Sequence, residues 1–138
     1  MKRDSIHTLV LCALLSAFAL ALSYIETLFP LPLPVPGARL GLGNALVLLA
    51  LLTLGPAEAA GVLLTKTALS TLLFGTPVSF LYAAAGGALS FGAMLLLNKR
   101  RSVTPIGQSI AGAVLHNLGQ VLVAMLLTNT PRLLLYFT

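Results

Sequence analysis

Two ionisable side chains stand in the middle of long apolar stretches of this sequence. Lys66 has threonine on either side, and His116 lies in a later apolar stretch at a similar distance from its ends. A lysine at the centre of a bilayer costs about 2.5–3.5 kcal/mol on insertion scales. Lys66 must therefore lose its charge, meet an acid from another part of the chain, or bind an anionic ligand. We favour the anionic ligand, with a structural partner as the alternative.

The polar residues around His116 recur on one side of a helix. At 100° per residue, six polar or small residues fall within an arc of about 140°. This stripe must face protein or a cavity, because an unsatisfied polar group in hydrocarbon costs several kcal/mol. The side chains either line a ligand or proton path or join helices through interhelical hydrogen bonds, and we count His116, Asn117 and Gln120 as candidate ligand contacts. The six residues are Ser109, Gly112, Ala113, His116, Asn117 and Gln120.

A proline-rich segment separates the first two apolar stretches. Four prolines alternate with other residues between 30 and 36, which stiffens a chain toward polyproline II. A rigid connector is one interpretation. The other is a lid over the outer mouth of a site, with Glu26, Arg39 and Asn44 as ligand contacts. Glu26 and Arg39 could instead pair with each other, and Asn44 is placed to cap the following helix.

The composition excludes a water-soluble domain. Of 138 residues, 58% are hydrophobic and only 8% are charged, against roughly 25% charged in a soluble domain. The net charge of +5 includes no basic run with aromatic partners, so we expect no nucleic-acid partner. Cys12 stands alone, so we expect no disulfide, no metal site and no cofactor.

The apolar stretches define five predicted membrane spans. The first is too long for a cleaved signal peptide, whose apolar region has about 7–15 residues. The second is short for a core of about 30 Å, and one hypothesis is that it begins inside the membrane near residues 41–44. We predict an all-α membrane protein, a single domain over 1–138 with five to six transmembrane helices, the last absent or truncated. The predicted spans are 6–26, 42–55, 57–75, 78–97 and 106–128.

The basic residues predict the orientation of these spans. Lys2 and Arg3 precede the first span, and three basic residues at 99–101 follow the fourth. Both groups should be cytoplasmic by the positive-inside rule, and four spans between them return the chain to the same side. We therefore predict a multi-pass protein of the bacterial plasma membrane with a cytoplasmic N-terminus.

Three blocks of this sequence carry a resemblance to a known family. They are residues 36–44, 86–90 and 109–120, together with Glu26. The stretch 26–128 resembles the Gx transporter family, also labelled heptaprenyl diphosphate synthase component I. Such proteins look like the substrate-binding S components of energy-coupling factor importers, which use six helices. The resemblance implies that Ala13, Ala17 and Ala21, spaced by four on the first helix, contact a membrane coupling subunit.

Two functions follow as hypotheses. The first is a substrate-binding subunit of a small-molecule importer, with a site formed by Lys66, the 109–120 stripe and the outer loop, and with a coupling subunit and ATPases as partners. The second is a non-catalytic membrane component of heptaprenyl or polyprenyl diphosphate synthesis, for the menaquinone side chain. Asp4, Glu26 and Glu58 are isolated from one another, so we expect no magnesium-dependent catalysis by this chain alone. A purely structural bundle is disfavoured by the cost of the buried lysine and histidine.

Overall fold

Five helices make up the part of the chain that the structure, a computed structural model, describes: residues 3–29, 41–100 and 102–132. They lie where the five spans are predicted, with ends that differ by a few residues. The sixth predicted segment begins beyond 132 and lies outside the described residues, as does the proline-rich segment. The helices are α1 (Arg3–Leu28), α2 (Gly43–Thr53), α3 (Pro56–Phe74), α4 (Pro77–Asn98) and α5 (Pro105–Thr128).

Proline and small polar residues set the starts of the last three helices. Each begins with a proline at its first position, where the missing N–H costs no hydrogen bond. The side chain of Thr76 accepts a hydrogen bond from the backbone N–H of Ser79 at the start of α4. Thr104 does the same for Gly107 at the start of α5. These local signals separate neighbouring apolar helices without a long connection.

Four of the described helices are long and apolar enough to cross a membrane: α3, α4, α5 and α1, the last over Ser5–Leu28. Their outward faces carry large apolar side chains such as Leu64, Leu72 and Leu126, which are well exposed in the isolated chain. A face of this kind suits contact with lipid rather than water. The predicted fold class, an all-α membrane bundle, is confirmed for these residues.

The second helix is short and central. Its 11 residues span about 16 Å, roughly half of a bilayer core. α2 packs against each of the other four helices, whereas α1 and α5 do not contact each other. Val47, Leu48 and Leu51 of α2 are buried in the core, with Val62 of α3 and Met94 of α4. Gly43 and Asn44 in the first turn of α2 are buried, whereas another face of the helix is exposed.

Contacts along the helices give their directions. Cys12 of α1 lines a surface cavity with Glu58 of α3, and the ring of Tyr24 meets that of Phe74 with centroids 5.3 Å apart. α1 and α3 therefore run parallel, and α2 and α4 run in the opposite direction. The start of α1 and the end of α4 lie at the same end of the bundle, as the basic residues predict. Which side of the membrane this end faces remains a prediction.

Candidate functional site

A chain of four polar side chains crosses the interior of the bundle. Nζ of Lys66 donates to Oδ1 of Asn44 at 2.5 Å. Nδ2 of Asn44 lies 2.8 Å from Nδ1 of His116, and the amide nitrogen of Gln120 lies 3.0 Å from Nε2 of the same ring. All four residues are at most 7% exposed. We call Lys66, Asn44, His116 and Gln120 the polar chain.

Lysine fixes the direction of the hydrogen bonds in the polar chain. The ammonium group only donates, so the carbonyl oxygen of Asn44 faces Lys66 and the NH₂ group of Asn44 donates to Nδ1 of His116. A ring that accepts at Nδ1 carries its proton on Nε2 when it is neutral. Gln120 satisfies that proton when its amide presents oxygen, because the two ends of an amide are distinguished only by their hydrogen bonds. The donor and acceptor roles are therefore set along the whole polar chain, from α3 through α2 to α5.

Two glycines pack closely against His116. Gly41 has φ +81°, and a Cβ atom there would lie 3.0 Å from Cδ2 of His116. A Cβ atom on Gly86 would lie 2.7 Å from the backbone oxygen of His116. A Cβ atom at 2.7 Å would be closer than real Cβ atoms come, and one at 3.0 Å would be tighter than most real contacts. The segment that leads into α2 and the middle of α4 therefore contact His116 directly.

The start of α2 differs from the prediction. Asn44 was expected to cap this helix, but the N-cap residue is Leu42 and no side chain of its own caps the turn. Glu26 of α1 instead accepts a hydrogen bond from the backbone N–H of Leu42 at 2.5 Å. The prediction was wrong because a buried amine needs an acceptor more than an N–H at a helix start does. Asn44 accepts a hydrogen bond from Lys66, and Glu26 accepts one from the start of α2.

A cavity lies beside the polar chain, toward the end of the bundle where α1 ends. Its volume is about 20 Å³, room for about one water molecule. The cavity contains one amine and one carboxylate, those of Lys66 and Glu26, and an organic ligand would have to widen it. The lining residues are Ser23, Glu26, Gly41, Lys66, Thr67, Ser70, Ser79, Tyr82, Ala83, His116 and Gln120. We call this the head cavity.

A comparison with models of protein families shows which family this chain belongs to. A family model described as heptaprenyl diphosphate synthase component I matches residues 15–138. The chain belongs to this family. No curated protein and no solved structure matches it significantly. The words "component I" imply a partner component of the synthase.

Within this family member, most of the predicted site residues come together. Lys66, His116, Gln120 and Glu26 line the head cavity, and Asn44 joins two of them. Asn117 is half-buried and is not among the residues that line it. Arg39 lies outside the described residues. Their roles as ligand contacts remain predictions.

The predicted stripe on α5 is only partly buried. Gly112 is buried with His116 and Gln120, as expected, but Ser109 and Ala113 are exposed. Val121, which is not one of the six stripe residues, is buried against Tyr82 of α4. The difference arises because α5 packs only on α4 and α2 among the described helices, so its buried arc is turned toward α4.

Sequence reasoning missed three hydroxyl groups of the head cavity, those of Ser23, Ser79 and Tyr82. Ser23 had a signal: Ser16, Ala19 and Ser23 follow a spacing of three and four along α1, and all three are buried. No sequence pattern indicated that Tyr82 lines the cavity, because a tyrosine near a helix start is typical of a membrane interface. Among the described residues, no group of three or more His, Cys, Asp or Glu could hold a metal ion.

The alanines of the predicted partner surface lie on the other side of α1. Ala13, Ala17 and Ala21 are exposed, whereas Ser16 and Ala19 face the bundle. Small residues at this spacing let a second helix approach closely in lipid. The surface is available to a partner, and its use remains a prediction.

Proposed function

We propose that this protein is a non-catalytic membrane component of heptaprenyl diphosphate synthesis, and that it holds a prenyl diphosphate by its head group. The observation that carries the proposal is the amine of Lys66, buried within a membrane helix and facing the head cavity. A cation at this position is costly, and an intramembrane ionisable group is a functional candidate by default. A diphosphate offers negative charge and acceptor oxygens to which the Lys66 ammonium can donate.

The other groups of the head cavity suit the same ligand. Ser23, Thr67 and Tyr82 bring hydroxyl groups that can donate to phosphate oxygens. Lysine contacts phosphate as a point charge rather than as a planar fork, so it does not dictate one orientation of the head group. Glu26 opposes the anion, because its carboxylate shares the cavity. We propose that the ligand displaces or protonates this carboxylate when it enters.

Catalysis by this chain is not part of the proposal. Transfer of a prenyl group needs carboxylates that hold Mg²⁺ against diphosphate oxygens. The chain has three acidic residues in all, and Glu58 lies toward the end of the bundle opposite Glu26. Chain elongation therefore belongs to the partner component, and this protein supplies or removes the membrane-soluble substrate or product.

One observation favours a second function, the substrate-binding subunit of an importer. The head cavity lies toward the end of the bundle opposite the start of α1, which the basic residues predict to be the outer side. A cavity open to the outside suits capture of a nutrient better than exchange with a cytoplasmic enzyme. The exposed alanines of α1 would then contact the coupling subunit, with ATPases bound to it.

Turnover of the partner enzyme separates the two functions. We would measure chain elongation by a soluble prenyl synthase from the same organism, with farnesyl and isopentenyl diphosphate, in the presence of liposomes with and without this protein. The proposal predicts faster product release when the protein is present. The Lys66→Met variant should lose this acceleration, and the Lys99→Met variant should keep it. Unchanged turnover, together with a different small molecule retained by the purified protein in mass spectrometry, would replace the proposal with the importer function.

A further inference from the structure

A second cavity continues below the polar chain, along the same side of α4 and α5. Its volume is about 120 Å³, six times that of the head cavity. Gly41 lines both cavities, and Asn44, which bonds to Lys66 and His116, lines the second. The two spaces thus meet at Gly41, in the segment that leads into α2. We call the second space the tail cavity.

The wall of the tail cavity is mostly apolar or small. Ala45, Met94, Gly112 and Ala113 line it, and no charged residue is among its lining residues. An engineered protein cavity of about 150 Å³ lined by apolar side chains stays dry and binds benzene. Asn44, Ser90 and Ser109 also line this cavity, but its volume and its six apolar or small lining residues suit an apolar group about as large as one isoprene unit.

The mouth of the tail cavity opens between α2 and α5. Ala45, Ser109 and Ala113 line the cavity and are exposed in the described part of the chain. Ala45 lies on a face of α2 that continues through Leu49 and Leu52, which are also exposed. A chain that leaves the cavity at this mouth would run along an apolar surface at membrane depth, where a long hydrocarbon is soluble.

We infer that the tail cavity holds the first isoprene unit of the prenyl chain whose diphosphate occupies the head cavity. This inference rests on the proposed function, because it assigns the two cavities to the two ends of one amphipathic ligand. The charged groups lie on the head side of Asn44 and the mostly apolar wall lies on the other side. The ligand passes between the two cavities at Gly41, which has no side chain.

Ser90 offers a test of whether the tail cavity takes an apolar or a polar group. Its hydroxyl oxygen is buried and has no hydrogen-bond partner among the described residues, and the residue is 1% exposed. In a helix a serine hydroxyl can turn to the carbonyl four residues back, which leaves an apolar wall for a hydrocarbon. Ser90→Ala should therefore leave the affinity for farnesyl diphosphate unchanged or raise it. A clear loss of affinity would show that the cavity takes a polar group and would overturn the inference.

The decisive experiment compares three ligands that share a head group and differ in chain length. Inorganic pyrophosphate, dimethylallyl diphosphate and farnesyl diphosphate would be titrated into the protein in nanodiscs, with empty nanodiscs as the blank. We expect affinity to rise along this series. Ala113→Phe should weaken farnesyl diphosphate binding about tenfold and leave pyrophosphate binding unchanged. Val114→Phe, which places the same side chain at an exposed position outside the cavity, should change neither.

Each result has a single meaning. If the three ligands bind equally well, or if Ala113→Phe weakens all of them alike, the tail cavity does not hold the chain and only this inference fails. If the wild-type protein binds none of them, the proposed function fails with it. Ala45→Phe fills the same cavity from α2 and repeats the test should Ala113→Phe not fold.

Discussion

The side-chain nitrogen of Asn44 lies 2.8 Å from Nδ1 of His116, 72 positions further along the chain. The carbonyl oxygen of the same amide accepts from Lys66. The helices that carry Lys66 and His116, α3 and α5, do not pack against each other. One amide on the short central helix therefore joins two costly groups.

Loss of the Asn44 amide should destabilise the bundle. Asn44→Leu removes an acceptor from Lys66 and the donor to His116, and a buried polar group that loses its partner costs about 1–3 kcal/mol. We expect a clearly lower Tm in detergent for this variant. Asn117→Leu, at a half-buried position with no part in the polar chain, should shift Tm much less. Equal Tm values for the two variants would show that the polar chain adds nothing to stability.

The close contact of α4 and α5 should not tolerate a methyl group. A Cβ atom on Gly86 would lie 2.7 Å from the backbone oxygen of His116, and overpacking of this kind costs about 1–3 kcal/mol. Gly86→Ala should lower the Tm and weaken ligand binding, because His116 must move.

The matched control lies on the same helix. At Gly92 a Cβ atom would meet nothing within 4 Å, and alanine is favoured over glycine in a helix by about 0.5–1 kcal/mol. Gly92→Ala should leave the Tm unchanged or raise it. A Gly86→Ala variant as stable as Gly92→Ala would contradict the described contact between the helices.

Removal of the carboxylate from the head cavity should strengthen the binding of an anion. Glu26→Gln deletes a like charge but keeps an oxygen that can accept from the N–H of Leu42. We expect farnesyl diphosphate to bind more tightly, by up to about tenfold or 1.4 kcal/mol. Glu58→Gln, toward the other end of the bundle, should have no effect. Weaker binding in Glu26→Gln would mean that the ligand brings a cation to this cavity.

Labelling of single cysteines will settle the orientation. In a Cys12→Ala background, Asn129→Cys and Ser102→Cys place thiols at exposed positions beyond the two opposite ends of α5. The basic residues predict that a membrane-impermeant thiol reagent labels position 129 in intact cells and labels position 102 only after lysis. The reverse pattern would place the head cavity on the cytoplasmic side and would remove the main support for the importer function.

The helices were predictable because their signals are local. Apolar length marks each long helix, and the prolines at 56, 77 and 105 mark three of the starts. The burial of Lys66 and His116 followed from the same pattern, since both stand in the middle of an apolar helix. Their inward direction followed from the cost of a polar group in lipid.

The partners within the site were not predictable in the same way. The position of Asn44 at a helix start is typical of a cap, and only the tertiary fold shows that a lysine from α3 competes for it. The buried side of α5 was misjudged at Val121 because periodicity gives a face but not the neighbour that covers it. The proximity of Glu26 to Lys66 depends on which faces of α1 and α3 meet, because a span prediction gives the direction of each helix but not its rotation.

The affinity of the nanodisc-embedded protein for farnesyl diphosphate tests the central claim most directly. Wild-type protein should bind it, and Lys66→Met should lose at least about tenfold in affinity, since a charge-assisted hydrogen bond contributes about 1.5–3 kcal/mol. Lys99→Met, the same change at an exposed position after α4, should bind like the wild type. Wild-type protein that does not bind farnesyl diphosphate, or Lys66→Met that binds it equally well, would contradict the account.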